Sequence, residues 1–140
     1  MMGMNKFNVL AIDDEPDVLK ILQIILERAG FGVITAETAD KGLRQAKEGL
    51  IHIILLDIRM PVRDGFDLLE ELKRDEKTKD IPVIMLTGEK EIRDFERGHV
   101  LGISDYITKP FRQDLLLQRI RRAIYYSIKK DEFDEPGGLP

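Results

Sequence analysis

The chain contains no cysteine, which excludes disulfide scaffolds, zinc–thiolate centres and thiol catalysis together. Its two histidines, His52 and His99, neither end an apolar run nor sit beside a second nitrogen ligand, so both are read as structural or exposed. No apolar run approaches the ~20 residues of a membrane span, and Met1 to Lys6 is too short and too polar for a signal peptide. A soluble, cytoplasmic protein with no membrane contact is expected. Positive charge is not in excess either, with 22 basic and 26 acidic residues for a net charge of −4. The two signs are mixed along the chain, so no basic stripe exists to track a phosphate backbone, and this segment is not expected to bind nucleic acid directly.

What is present suits one compact domain. At 140 residues and 43% hydrophobic content there is enough apolar side chain for a single core. Short apolar runs alternate with amphipathic stretches. Phe7 to Ile12, Gly32 to Ala36, Ile51 to Asp57, Val83 to Thr87 and Ser104 to Thr108 read as strands. Pro16 to Ala29 has its apolar residues at helical spacing and stops at Gly30. Further helices are expected from Thr38 or Asp40 to Glu48, over Phe66 to Arg74, over Glu91 to Leu101, and from Arg112 or Gln113 to about Lys130. The domain is therefore bounded at 1–130, and the acidic segment 131–140, with two glycines and two prolines, is expected to be a disordered end or the start of a linker. Five alternations with short connections predict an α/β fold, a doubly wound five-stranded parallel sheet with helices on both faces.

The strand ends carry the chemistry. The first run ends on Asp13 and Asp14, the third on Asp57, the fourth on Thr87, and the last on Thr108, Lys109 and Pro110. In a parallel sheet all of these lie along one edge, and the strand order 2-1-3-4-5 brings the three carboxylates together at the topological switch point. Carboxylates within about 5 Å repel by roughly 3 to 4 kcal/mol per pair at an effective dielectric near 20, which calls for a cation. Oxygen-only donors favour a hard ion, Mg²⁺ with Mn²⁺ tolerated. Beside it Asp57 is the natural nucleophile toward phosphorus, Lys109 the natural ammonium for phosphoryl oxygens, and Thr87 a hydroxyl that can donate to one.

These residues resemble the receiver domain of bacterial two-component response regulators, of the chemotaxis-regulator type, over Phe7 to about Ile128. The resemblance rests on Asp13-Asp14, Asp57 with Met60-Pro61 and Gly65, Thr87-Gly88, and Asp105 to Phe111 with Tyr106 and Lys109-Pro110. It implies that Asp57 accepts a phosphoryl group from a sensor histidine kinase or phosphotransfer protein. Asp14, Asp57 and the backbone carbonyl of Arg59 would ligate Mg²⁺, with Asp13 acting through a metal-bound water. Lys109 would contact the phosphoryl group, Thr87 would move toward it, and Tyr106 would swing inward. Arg59 and Glu89 would flank the group and tune its hydrolysis, and could pair across the empty site. Lys109-Pro110 would be a cis peptide. The protein would then be a switch, catalysing only its own phosphorylation and dephosphorylation. It would change its affinity for a downstream protein or output domain, or for a second copy, through helix four, strand five and helix five.

Two other readings share the topology. A haloacid-dehalogenase-type phosphatase or phosphotransferase needs a second carboxylate two residues after the nucleophile, where Arg59 stands. A flavodoxin-like cofactor binder needs small hydroxyl residues in its first loop, where Asp13-Asp14-Glu15 would repel a phosphate. Both are disfavoured.

Overall fold

A computed structural model describes residues 6–88 and 92–134. In chain order the elements are β1 (Asn8–Ile12), α1 (Pro16–Arg28), β2 (Gly32–Ala36), α2 (Ala39–Glu48), β3 (Ile53–Asp57), α3 (Gly65–Arg74), β4 (Val83–Thr87), α4 (Ile92–Leu101), β5 (Asp105–Thr108) and α5 (Gln113–Asp134). The strands form one sheet in the order β2-β1-β3-β4-β5, and every neighbouring pair is parallel. This is the expected doubly wound architecture. No described helix is long and apolar enough to cross a membrane.

The helix boundaries follow local chemistry. Pro16 supplies a preset φ at the first turn of α1. Thr38 accepts a hydrogen bond from the Lys41 backbone N–H to cap α2, and Asp64 accepts one from Asp67 to cap α3. At the end of α1, Gly30 adopts φ +95°, a conformation that an L side chain would resist. Apart from the end of the last helix, boundaries move by one or two residues from expectation. Ile51 is buried but lies outside β3, whose ladder with β1 starts at Val9 and Ile53; before that point the Asn8 N–H donates to the His52 side chain and the Asn8 side chain to the Leu50 carbonyl. His52 is structural: its Nδ1 accepts from the Asn8 N–H, and its ring meets Phe7 edge-on. The last helix continues to Asp134, past the expected end at Lys130, while residues 135–140 lie outside the described ones.

Strand alternation sorts the core into two layers. Leu10, Ile12, Ile54, Leu56, Val83 and Met85 pack with Leu68, Leu69 and Leu72 of α3. Val9, Ala11, Ile53, Leu55, Ile84, Leu86 and Ile107 pack with Leu19, Leu22 and Leu26 of α1 and with Leu116 and Ile120 of α5. Ile124 joins the second layer, whereas Tyr125 and Ile128 are exposed, so α5 buries only one of its faces.

The turn from β3 into α3 comes unusually close to its own strand. A Cβ placed on Gly65 would collide with the Asp57 carbonyl oxygen and lie 2.9 Å from the Ile58 Cα. Both are backbone atoms that cannot step aside. Gly65→Ala is therefore expected to destabilise the fold by about 2 kcal/mol through overpacking, measurable as a lowered urea midpoint with an unchanged m-value.

Candidate functional site

The carboxyl edge of the sheet is built by ladders that run one step past the strands. The Asp13 N–H bonds the Ala36 carbonyl at 3.1 Å, the Ile58 N–H bonds the Leu86 carbonyl at 3.1 Å, and the Lys109 N–H bonds the Thr87 carbonyl at 2.7 Å. Backbone pairing thus holds the residues that carry the chemistry. Alternation assigns their sides. Asp13, Asp57 and Lys109 share the parity of the α1/α5 layer, and Thr87 and Tyr106 share that of the layer in which Tyr106 packs, beside α3 and α4.

The first three meet. Lys109 Nζ donates to Asp13 Oδ2 at 2.7 Å and to Asp57 Oδ1 at 3.2 Å, with Glu15 Oε1 farther out at 3.7 Å. Asp13, Asp14 and Asp57 each bring a carboxylate oxygen within 4.8 Å of the others. Asp13 is 0% exposed, Asp57 4% and Thr87 3%, while Asp14 is half-buried. Asp13 also accepts from the Glu15 N–H at 3.0 Å, which fixes its second oxygen.

Charge is concentrated here at some cost. Two carboxylate charges no more than 4.8 Å apart repel by at least about 3.5 kcal/mol at an effective dielectric of 20. Burial, reinforced by the Asp13 charge, pushes the Asp57 carboxyl up to about 7, although Lys109 and the Arg59 backbone N–H pull the other way. For Lys109, burial opposes the charged form, but the hydrogen bond to Asp13 and the two carboxylate charges outweigh it and raise the ammonium above its ordinary range. One ammonium therefore balances the cluster only in part. All three donors are carboxylate oxygens, and a cleft of about 540 Å³ lined by Asp14, Arg59, Met60 and Phe66 opens beside them. That donor set fits a hard divalent cation with water completing its shell.

The other expected residues occupy the rim. Arg59 is exposed on the loop after β3. Lys109-Pro110 is cis. Tyr106 lies beside Met85 in the β4–β5 register, two residues before the Thr87–Thr108 pair and on the same side of the sheet. Its hydroxyl sits against Gly98 of α4, where any added Cβ would collide with it. Glu89 lies outside the described residues, and with it the expected pairing to Arg59.

Some contacts at this edge were not foreseen. Glu15 approaches Lys109, a consequence of helix geometry just after the acidic pair. Arg97 of α4 stacks over Phe66 at 4.8 Å and faces Asp64 and Asp67, tying α4 to α3 beside the cleft. Gly98 had a faint signal in the sequence, a glycine inside a helical stretch, which usually marks close packing.

Comparison with known proteins supports what the geometry suggests. Residues 9–121 match the response regulator receiver domain. The chain belongs to that family. As a receiver domain it is 42% identical over 116 residues to the DNA-binding dual master transcriptional regulator RpaA of Synechocystis, covering 83% of this chain and 48% of RpaA. The chain spans about half the length of the curated relatives it matches. Among solved structures, the CheY-like receiver domain protein of Methanospirillum hungatei superposes with a TM-score of 0.85 at 28% identity, over 90% of this chain and 99% of that one. The receiver domain of a Pseudomonas aeruginosa sensor histidine kinase, with magnesium coordinated in its active-site cleft, gives 0.79 at 27% identity over 86% and 99%. Receiver domains are phosphorylation-controlled signalling modules rather than turnover enzymes, and neither the dehalogenase-type nor the flavodoxin-type reading is favoured.

Proposed function

We propose that Asp57 is the phosphoacceptor of this receiver, with a sensor histidine kinase or phosphotransfer protein as donor. The observation that carries this reading is the convergence of Lys109 on Asp13 and Asp57 at 2.7 and 3.2 Å. Asp13, Asp14 and Asp57, with the Arg59 carbonyl, would hold Mg²⁺, Asp13 through a water. That ion supplies the positive charge that lets an anionic phosphoryl group approach three carboxylates.

The chain's own residues do the rest. An Asp57 carboxylate oxygen attacks phosphorus, forming the acyl phosphate as the donor's bond to phosphorus breaks. Lys109 follows the new charge and stabilises the equatorial oxygens. Thr87 donates its hydroxyl to a phosphoryl oxygen, and Tyr106, stacked along the same side of β4 and β5, moves inward as Thr87 shifts. Arg59, on the loop after β3, sets together with Glu89 how readily water removes the group.

Phosphorylation adds about −1.5 to −2 charge and strong acceptors. The readout surface is then α4, β5 and α5, whose affinity for a downstream partner, an output domain or a second copy changes. Gly98 on α4 already forms the seat of the Tyr106 hydroxyl, which supports this coupling. Incubation with acetyl phosphate and Mg²⁺, read by intact mass, is expected to add one phosphoryl group, and none once EDTA removes the metal. Incorporation that survives EDTA would overturn the metal-dependent reading.

A further inference from the structure

A second charged concavity lies at the opposite edge of the sheet. A cleft of about 300 Å³ opens between the α3–β4 turn, the start of β5 and the later turns of α5. Lys73, Lys79, Arg119, Arg122 and Lys130 line it, against the carboxylates of Asp80 and Asp105. A chain of net charge −4 thus gathers an excess of cations in one hollow, whose walls focus the field.

The cations are not equally committed. Arg119 and Arg122 each hold Asp105 at 2.9 Å, and Arg119 also donates to the Tyr106 carbonyl at 3.2 Å. Lys79 pairs with Glu76. Lys73 is different: its ammonium reaches only two backbone carbonyls, of Lys79 at 3.3 Å and Ile81 at 3.4 Å, and among the described residues no carboxylate lies within ion-pair distance of it. Burial, with the like charge of Lys130 adding to it, depresses the Lys73 ammonium, and Asp80 only partly opposes this. Among the described residues, the ammoniums of Lys73 and Lys130 therefore share the cleft without an ion-paired carboxylate.

We infer that this cleft binds a small molecule carrying linked phosphoryl groups. Ammoniums bind phosphoryl oxygens as point charges with rotatable donors, while the planar arginine forks, which suit phosphate and carboxylate alike, are already engaged by Asp105. Tyr126 lines the same cleft, is 63% exposed and is braced edge-on by Tyr125 at 5.5 Å. It offers an aromatic surface on which a nucleobase can stack, so a nucleoside diphosphate uses more of the site than inorganic pyrophosphate does. This site is independent of the phosphoacceptor reading.

The test is calorimetric titration of the whole chain with ADP, pyrophosphate and adenosine in EDTA, where the acidic edge repels phosphate. Saturable binding of one ADP with Kd below about 1 mM is expected, weakened at least about tenfold by Lys73→Gln. The exposed change Lys130→Gln should weaken it too, with little risk to folding. Adenosine should not bind. Tighter binding of ADP than of pyrophosphate, lost in Tyr126→Ala, identifies a nucleotide; equal binding of the two identifies inorganic polyphosphate as the source. Absence of saturation, or affinity unchanged in both lysine variants, overturns the site.

Discussion

Replacing Asp57 by Asn is expected to reduce phosphoryl incorporation from acetyl phosphate by more than about a thousandfold. Asp57 is 4% exposed at the end of the central strand β3, with Lys109 Nζ 3.2 Å from its Oδ1 and the carboxylates of Asp13 and Asp14 beside it. An amide of the same shape keeps the packing but lacks the anionic oxygen that attacks phosphorus. The change therefore separates chemistry from folding. Time courses of intact mass for the two proteins in Mg²⁺ check it, and comparable rates would sink the assignment of Asp57.

The second large effect is on stability. In EDTA, the unfolded chain's Asp57 releases its proton near its ordinary value of 3.8, while the native one holds it until about 7. Between those values the native state binds one more proton than the unfolded state, so stability falls as pH rises. The loss amounts to about 4 kcal/mol, at 1.36 kcal/mol per pH unit, a large share of the 5–15 kcal/mol typical of a domain. Asp57→Asn lacks this titration. The variant should match the native sequence near pH 4 and be more stable by about that amount above pH 7. Urea unfolding of both proteins across that window reads the difference directly. Parallel pH profiles would mean that Asp57 is not held in a charge-hostile setting.

Both effects trace to residues that the sequence already marked. Asp13, Asp57 and Lys109 end short apolar runs, and once the runs are parallel strands of a 2-1-3-4-5 sheet their meeting is a matter of topology. Helix limits were legible where a capping residue has a chemical signature, as at Pro16 and Thr38. The extension of α5 to Asp134 was not, because Asp131 to Asp134 reads as an acidic tail when no packing partner is in view. Contacts between elements far apart in the chain were equally silent. Nothing local links Arg119 and Arg122 to Asp105, or Arg63 to both Asp40 and Glu71; helix rotation against the sheet decides those pairs. The same holds for Gly98 and Tyr106, whose fit depends on how closely α4 approaches β5. The basic cleft escaped notice for a further reason. Its lysines and arginines come from three separate segments of an acidic chain, so no run of positive charge announces it.

On the proposed reading one carboxylate, Asp57, carries the signal. That reading is tested most directly by phosphorylating the protein with acetyl phosphate and Mg²⁺, trapping the acyl phosphate by borohydride reduction, and sequencing the peptides by mass spectrometry. Homoserine at position 57 alone is the expected result. Reduction at Asp13 or Asp14 instead, or no reduced residue in a protein that has gained a phosphoryl group, would contradict it.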